Sequence, residues 1–139
     1  HSDFIKYLSL KYPNIHYYED SHDDITDAIL WSDAVVGDCS GALLLALAGN
    51  KPIFAFDNPN RFKNPYFDPE GPEWIFRDQY SYQISEENLC ELSEMLSHFI
   101  NKDTKKNSRE ELIKLLYEHR TDSEKVIANE IVNLLPSEG

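Results

Sequence analysis

Apolar and polar positions change period several times along the chain, and each change marks an expected element. From Ser2 to Leu10 the residues Phe4, Ile5, Tyr7 and Leu8 fall at helical spacing, and the "YPN" that follows stops the run, as proline and asparagine do. "IHYYE" then reads as a short strand. In "SHDDITDAILWSD" Ser21 or Asp23 offers an N-cap, acidic residues occupy the first turn where the helix dipole favours them, and Ile25, Ala28 and Ile29 share one face. "AVVGD" is β-branched and apolar on both faces, the composition of a strand covered by helices on each side. Ser40 to Ala48 predicts an apolar helix closed by Gly49 at C′, and "KPIFAFD" predicts a buried strand with Pro52 tolerated at its entrance.

The next segment, Asn58 to Arg77, has no period and carries Pro59, Pro65, Pro69 and Pro72, so it predicts an ordered loop over the sheet edge. Tyr66, Phe67 and Trp74 are expected to pin that loop to the domain, and Trp31 is expected in the core. "YSYQI" reads as a fourth strand. Ser85 with Glu87 or Asn88 opens a helix to about Asn101, with Leu89, Leu92, Met95, Leu96 and Phe99 on one face. "NKDTKKNS" is a polar turn, Ser108 caps a helix through Leu116, and "TDSEKVIANEIVNLL" makes a last helix. Strand, helix and strand joined by short turns read as a right-handed βαβ unit. The fold expected for residues 1–139 is one α/β domain, a three-layer Rossmann-like arrangement around a parallel sheet of about four strands.

Composition narrows the function classes. With 139 residues, 41% of them hydrophobic and 27% charged, the chain has globular rather than disordered or fibrous character. Its longest apolar run, Ala42 to Ala48, falls far short of the roughly 20 residues that cross a bilayer, so no integral membrane segment is expected, and no secretory signal pattern is visible. A formal net charge of −12 repels nucleic acid and anionic lipid, whose affinity for proteins comes largely from Lys and Arg. Any phosphate is therefore held locally. Cys39 and Cys90 form neither a disulfide framework nor a metal spacing, and His1, His16 and His22 lack ligand-like spacing, which points to a cytoplasmic protein without a metal site.

The chemistry concentrates in "GDCSG". In an open α/β sheet, ligands settle beyond the carboxyl ends of the strands, where Asp38 and Asp57 both stand. Ser40, Gly41 and Ala42 present the first free N–H groups of the following helix. Their small size, with Cys39 beside them, permits close approach of a diphosphate or phosphodiester. Two other readings of the turn stand beside this one. Asp38 or Ser40 can be an ordinary N-cap. Alternatively Gly37 to Gly41 has the spacing of a nucleophile elbow, with Cys39 as nucleophile and Asp57 or Asp78 followed by His98 or His119 as partners, although both histidines fall in predicted amphipathic helices.

The order "DDITDAILWSDAVVGDCSGALLLALAGNKPIFAFD", then "NPYFDPEGP", "SEENLCEL" and "RTDSEKVIANEIVNLL", resembles the C-terminal domain of the CDP-glycerol glycerophosphotransferases, over roughly Asp23 to Leu135. Those enzymes make the poly(glycerol phosphate) of teichoic acids and related capsule polymers. Ile25 follows the acidic pair, Ser32 and Asp33 take the Ser-Asp place, Asp38 and Ser40 fall on the Thr-Asp-Tyr-Ser-Ser turn, Lys51, Pro52 and Ile53 match, and Gly71 and Pro72 match a late pair. Related turns occur in other enzymes of the GT-B fold. The resemblance implies part of a GT-B donor-binding domain, a nucleotide-activated donor such as CDP-glycerol or a nucleotide sugar, no cofactor or metal, and a separate N-terminal acceptor domain. It also implies a cytoplasmic place, peripheral at the inner membrane face in a full-length protein. Ser40, Gly41, Ala42 and Cys39 would face the donor phosphates, and Asp38 and Asp57 would face hydroxyls. Cys39 stands where the family has tyrosine, Gly41 where it has a second serine, and Leu45 where many members have an acid. His1 matches the histidine of a Lys-x-His-Pro motif, but Ser2 stands where that motif has proline. A noncatalytic interaction domain is the remaining alternative.

Overall fold

A computed structural model describes residues 2–17 and 25–117, together with 122 and 125. The chain runs α1 (Ser2–Lys11), α2 (Ile25–Trp31), β1 (Val35–Gly37), α3 (Gly41–Ala48), β2 (Ile53–Phe56), α4 (Pro72–Ile75), α5 (Arg77–Tyr80), β3 (Ser81–Ile84), α6 (Leu92–Asn101) and α7 (Lys106–Leu116). Single 3-10 turns lie at Arg61–Lys63 and Leu89–Glu91.

The sheet is parallel throughout and ordered β1-β2-β3, with Val35 opposite Ile53 and Ile53 opposite Ser81. Three strands are therefore found among the described residues, where about four were expected. The expected first strand does not form over Ile15–Tyr17, because the Ile15 N–H closes a turn onto the Tyr12 carbonyl; its remainder lies outside the described residues. The Ser21 or Asp23 cap falls outside them too, as does all of the expected final helix over 121–135 except residues 122 and 125.

Alternation along β2 builds two cores. Ile53 and Ala55 face Leu43, Ala46, Leu47, Tyr80 and Leu112, so α3, α5 and α7 cover one side. Phe54 faces Tyr82 and Ile84, with Leu92, Met95, Leu96 and Phe99 of α6 packed over them. The result is three layers, as the βαβ pattern implies. Full burial of Phe54, Ile84 or Leu43 stabilises by about 1.5 to 3 kcal/mol each. Gly37 matters here through close approach: a Cβ at that position would meet Leu43 Cδ2 at 3.0 Å, so the buried Leu43 side chain would have to give way.

The end of α3 differs in detail from expectation. Gly49 is the C-cap with φ −80°, and the left-handed residue is Asn50 with φ 51°. The Asn50 N–H donates to the Leu47 carbonyl and the Lys51 N–H to the Ala46 carbonyl, the paired bonds of a Schellman turn. Asparagine takes the special position because its side chain is needed there: Asn50 Oδ1 accepts from Arg109 Nε at 3.0 Å. Lys51, one residue on, donates from Nζ to the Leu30 and Ser32 carbonyls at 2.8 and 2.9 Å and so closes the end of α2.

Three other expectations shift. Helix α7 begins at Lys106, two residues before the expected Ser108 cap, and Leu89 lies outside α6, half exposed. Trp31 is not core: it is 88% exposed, and Leu30 and Ile25 of α2 are exposed as well. Helix periodicity identifies a stripe but not what covers it.

Candidate functional site

Strand β1 ends at Gly37 and β2 at Phe56, which places Asp38 and Asp57 side by side beyond the carboxyl edge. Asp38 folds back on its own turn. Its Oδ1 accepts the Cys39 N–H at 2.6 Å, and Oδ2 accepts Asn58 Nδ2 at 3.0 Å. Ser40, at φ −157°, is the extended residue before α3 and makes no side-chain cap bond. The Leu43 N–H is taken by the Ser40 carbonyl at 3.0 Å, whereas the Gly41 and Ala42 N–H groups have no acceptor among the described residues. Space beside Gly41 is open, with nothing within 4 Å of where a Cβ would lie. The first turn of α3 thus offers bare donors at the positive end of its dipole.

Facing this turn is a pair of buried arginines that the sequence reading missed. Arg61 and Arg77 are only 4% and 5% exposed. Asp57 Oδ1 accepts from Arg77 Nη1 at 3.1 Å and forms an ion pair with Arg61 Nη2 at 3.0 Å. Arg61 also donates to the Asn58 and Phe56 carbonyls, and Arg77 to the Ala55 carbonyl, so both guanidiniums are tied to the end of β2. Trp74 lies under both, 4.5 Å from the Arg61 guanidinium carbon and 5.3 Å from that of Arg77, within cation–π range. Phe62 and Phe67 meet Trp74 edge to face at 5.8 and 5.4 Å and hold the loop in place. Phe67 and Trp74 pin the loop as expected; Tyr66 does not, being 91% exposed.

This packing leaves two buried nitrogens, Arg61 Nη1 and Arg77 Nε, without acceptors among the described residues. Buried donors of a charged group are rarely left unmet, so the pair marks an unfinished polar site. Between the loop and the turn is a hollow of about 110 Å³ whose wall includes Asp38, Cys39, Asn58, Arg61, Asp68 and Glu73. Ser40, Gly41 and Ala42 lie next to it but do not line it. A larger groove of about 710 Å³ follows α6, from Glu91 to Phe99, and of the candidate residues carries only His98.

Cys39 is poorly suited to nucleophilic attack. Burial pushes its thiol pKa up, the charges of Glu73 and Asp38 push the same way, and Arg61 and Arg77 oppose them without prevailing. Among the described residues no histidine acts on it. His98 lies on α6, across the sheet from α3, and His119 falls outside the described residues. Asp78 is exposed on α5, where its carbonyl accepts from Lys105. A thiol of this kind is mostly protonated at neutral pH.

For the arginine pair, the Asp57-to-Arg61 spacing of four residues is the one local pattern that could have pointed to it. Arg77 stood in "WIFRDQY" with nothing to distinguish it. Among the described residues no group of three or more His, Cys, Asp or Glu could hold a metal ion, and no helix is long and apolar enough to cross a membrane. Compared with models of protein families, with curated proteins and with solved structures, the chain matches none.

Proposed function

We propose that this chain is the donor-binding part of a glycosyl- or glycerophosphotransferase of cell-surface polymer synthesis. It would hold a nucleotide-activated donor, CDP-glycerol or a nucleotide sugar, at the carboxyl edge of the sheet. The observation that carries the reading is the pairing of Gly41 and Ala42 N–H groups that no described residue claims with a buried guanidinium pair in which one nitrogen of each lacks an acceptor among the described residues, both beyond the ends of parallel strands. That is the place and chemistry for a diphosphate in an α/β sheet. The lining of the neighbouring hollow, rich in carboxylates and asparagines, suits hydroxyl groups.

In this reading the donor diphosphate lies against the Ser40, Gly41 and Ala42 turn, with Cys39 beside it. Asp57, whose Oδ2 has no partner among the described residues, accepts a hydroxyl of the donor. An acceptor hydroxyl attacks the donor, the nucleoside phosphate leaves, and the N–H groups stabilise the charge that grows on it. The acceptor site and the catalytic base come from a separate acceptor domain, so these residues alone bind nucleotide weakly and turn nothing over. Titration with CDP, UDP and CDP-glycerol, followed by NMR, tests this. Saturable shifts at Gly41 and Ala42 are expected, weakened about tenfold in Ser40→Ala by loss of one hydrogen bond to a charged group. Absence of any nucleotide-dependent shift would end the reading.

A further inference from the structure

Resting on that reading, we infer that Asp38 is a resident substitute for the ligand's anion, holding the place that a phosphate oxygen takes between Arg61 and the start of α3. Three observations converge. Asp38 Oδ1 already receives a backbone N–H of the turn, from Cys39 at 2.6 Å, and lies 3.5 Å from Arg61 Nη2, so one carboxylate oxygen joins the two anion-binding elements. Arg61 is 4% exposed, forms part of the wall of the hollow, and has an Nη1 with no acceptor. Two buried guanidiniums share one oxygen of Asp57, which leaves them short of negative charge at hydrogen-bond distance.

A phosphate offers more acceptor oxygens than a carboxylate and can serve Arg61 and the Gly41 and Ala42 N–H groups together. To do so it must turn Asp38 out, since two anions on one guanidinium repel. Asp68 and Glu73 also face the hollow and add to that repulsion. Asp38 therefore lowers affinity for the ligand while keeping the empty site folded. The consequence runs opposite to the role of a substrate ligand: replacing Asp38 by its uncharged isostere tightens phosphate binding.

Trp74 supplies the readout, because its ring lies on the Arg61 guanidinium and the other tryptophan, Trp31, is exposed on α2 and replaceable. In the Trp31→Phe protein, inorganic pyrophosphate titrated at constant ionic strength is expected to change Trp74 emission saturably. Asp38→Asn should bind about tenfold tighter and Arg61→Lys about tenfold weaker, since lysine lacks the planar fork. Circular dichroism verifies that each variant folds, and Asp38→Asn keeps an oxygen for the Cys39 N–H. Unchanged or weaker binding by Asp38→Asn, or no saturation in either protein, overturns the inference. CDP, UDP and CDP-glycerol separate it from the transferase reading. Tighter pyrophosphate binding by Asp38→Asn with no nucleotide binding at all sustains the anion site and sinks the transferase. Nucleotide binding that Asp38→Asn weakens does the reverse.

Discussion

Two regions of this molecule bury arginine, and they are finished to different degrees. Arg109, fully buried on α7, has a partner for each nitrogen: Asn50 accepts from Nε at 3.0 Å, and the two Asp103 oxygens accept from Nη1 and Nη2. Tyr82 donates to the same Asp103 at 2.9 Å, so the network fastens α7 to β3 and to the end of α3. Arg61 and Arg77 share a single carboxylate oxygen and keep one unmet nitrogen each. Arginine suits both places because its guanidinium is weakly hydrated and its fork matches carboxylates. The contrast separates a cation whose partners are complete from a pair whose polar groups the described residues leave partly unmet.

The largest effect expected from breaking this contrast is at Asp103. Asp103→Asn leaves a fully buried guanidinium without its counter-charge and should cost about 3 kcal/mol, measured by urea unfolding. Added pyrophosphate should stabilise Asp103→Asn only as much as it stabilises the native protein, leaving the gap between them unchanged. Burial pushes the Asp103 carboxyl pKa up, but hydrogen bonds from Arg109 and Tyr82, and the Arg109 charge, outweigh that and hold it below the ordinary range. A carboxylate with a lower pKa folded than unfolded stabilises the protein above the unfolded value, about pH 4, and that contribution is lost as pH falls through the folded value. The stability gap between the native protein and Asp103→Asn should therefore narrow only below about pH 4.

At Asp57 a smaller cost is expected, with a different signature. Its side chain is 55% exposed, so solvent replaces part of what Asp57→Ala removes, and the loss should be about 2 kcal/mol. Here pyrophosphate should narrow the gap to the native protein, because removing Asp57 frees both guanidiniums for the anion, and tighter binding to the folded state raises stability further by mass action. A gap that narrows at Asp103→Asn and not at Asp57→Ala would invert the assignment of the two regions.

Much of the scaffold of the second region was legible in the sequence, and its chemistry only half so. The β1-α3-β2 unit announced itself through a β-branched run, a small-residue turn and an unbroken apolar helix, each with its own period. That unit alone placed Asp38, Cys39, Ser40, Gly41, Ala42 and Asp57 at one edge. Arg77 reaches Asp57 across 20 residues of aperiodic loop, and no local pattern encodes such a meeting. Asp103 looked like part of a polar turn because its partners, Tyr82 and Arg109, belong to two other elements. Trp31 misled for the converse reason, since an apolar residue on a helical stripe reads the same whether or not anything packs on it.

The smallest expected effect is kinetic and reports on the unfinished region alone. Cys90 is exposed and Cys39 half-buried, so at pH 7.5 iodoacetamide should modify Cys90 first. Alkylation proceeds through the thiolate, and the raised pKa of Cys39 means its rate should keep climbing above the ordinary thiol range near about pH 8.5. Pyrophosphate placed against Arg61 adds negative charge beside a thiol that Arg61 and Arg77 otherwise help to ionise, and should slow Cys39 further while leaving Cys90 unchanged. Mass spectrometry of each cysteine against time separates the two. Modification of Cys39 as fast as Cys90 at neutral pH would show a thiolate in the turn and restore the nucleophile elbow. Slow modification that pyrophosphate leaves unaltered would place the anion somewhere other than beside Arg61.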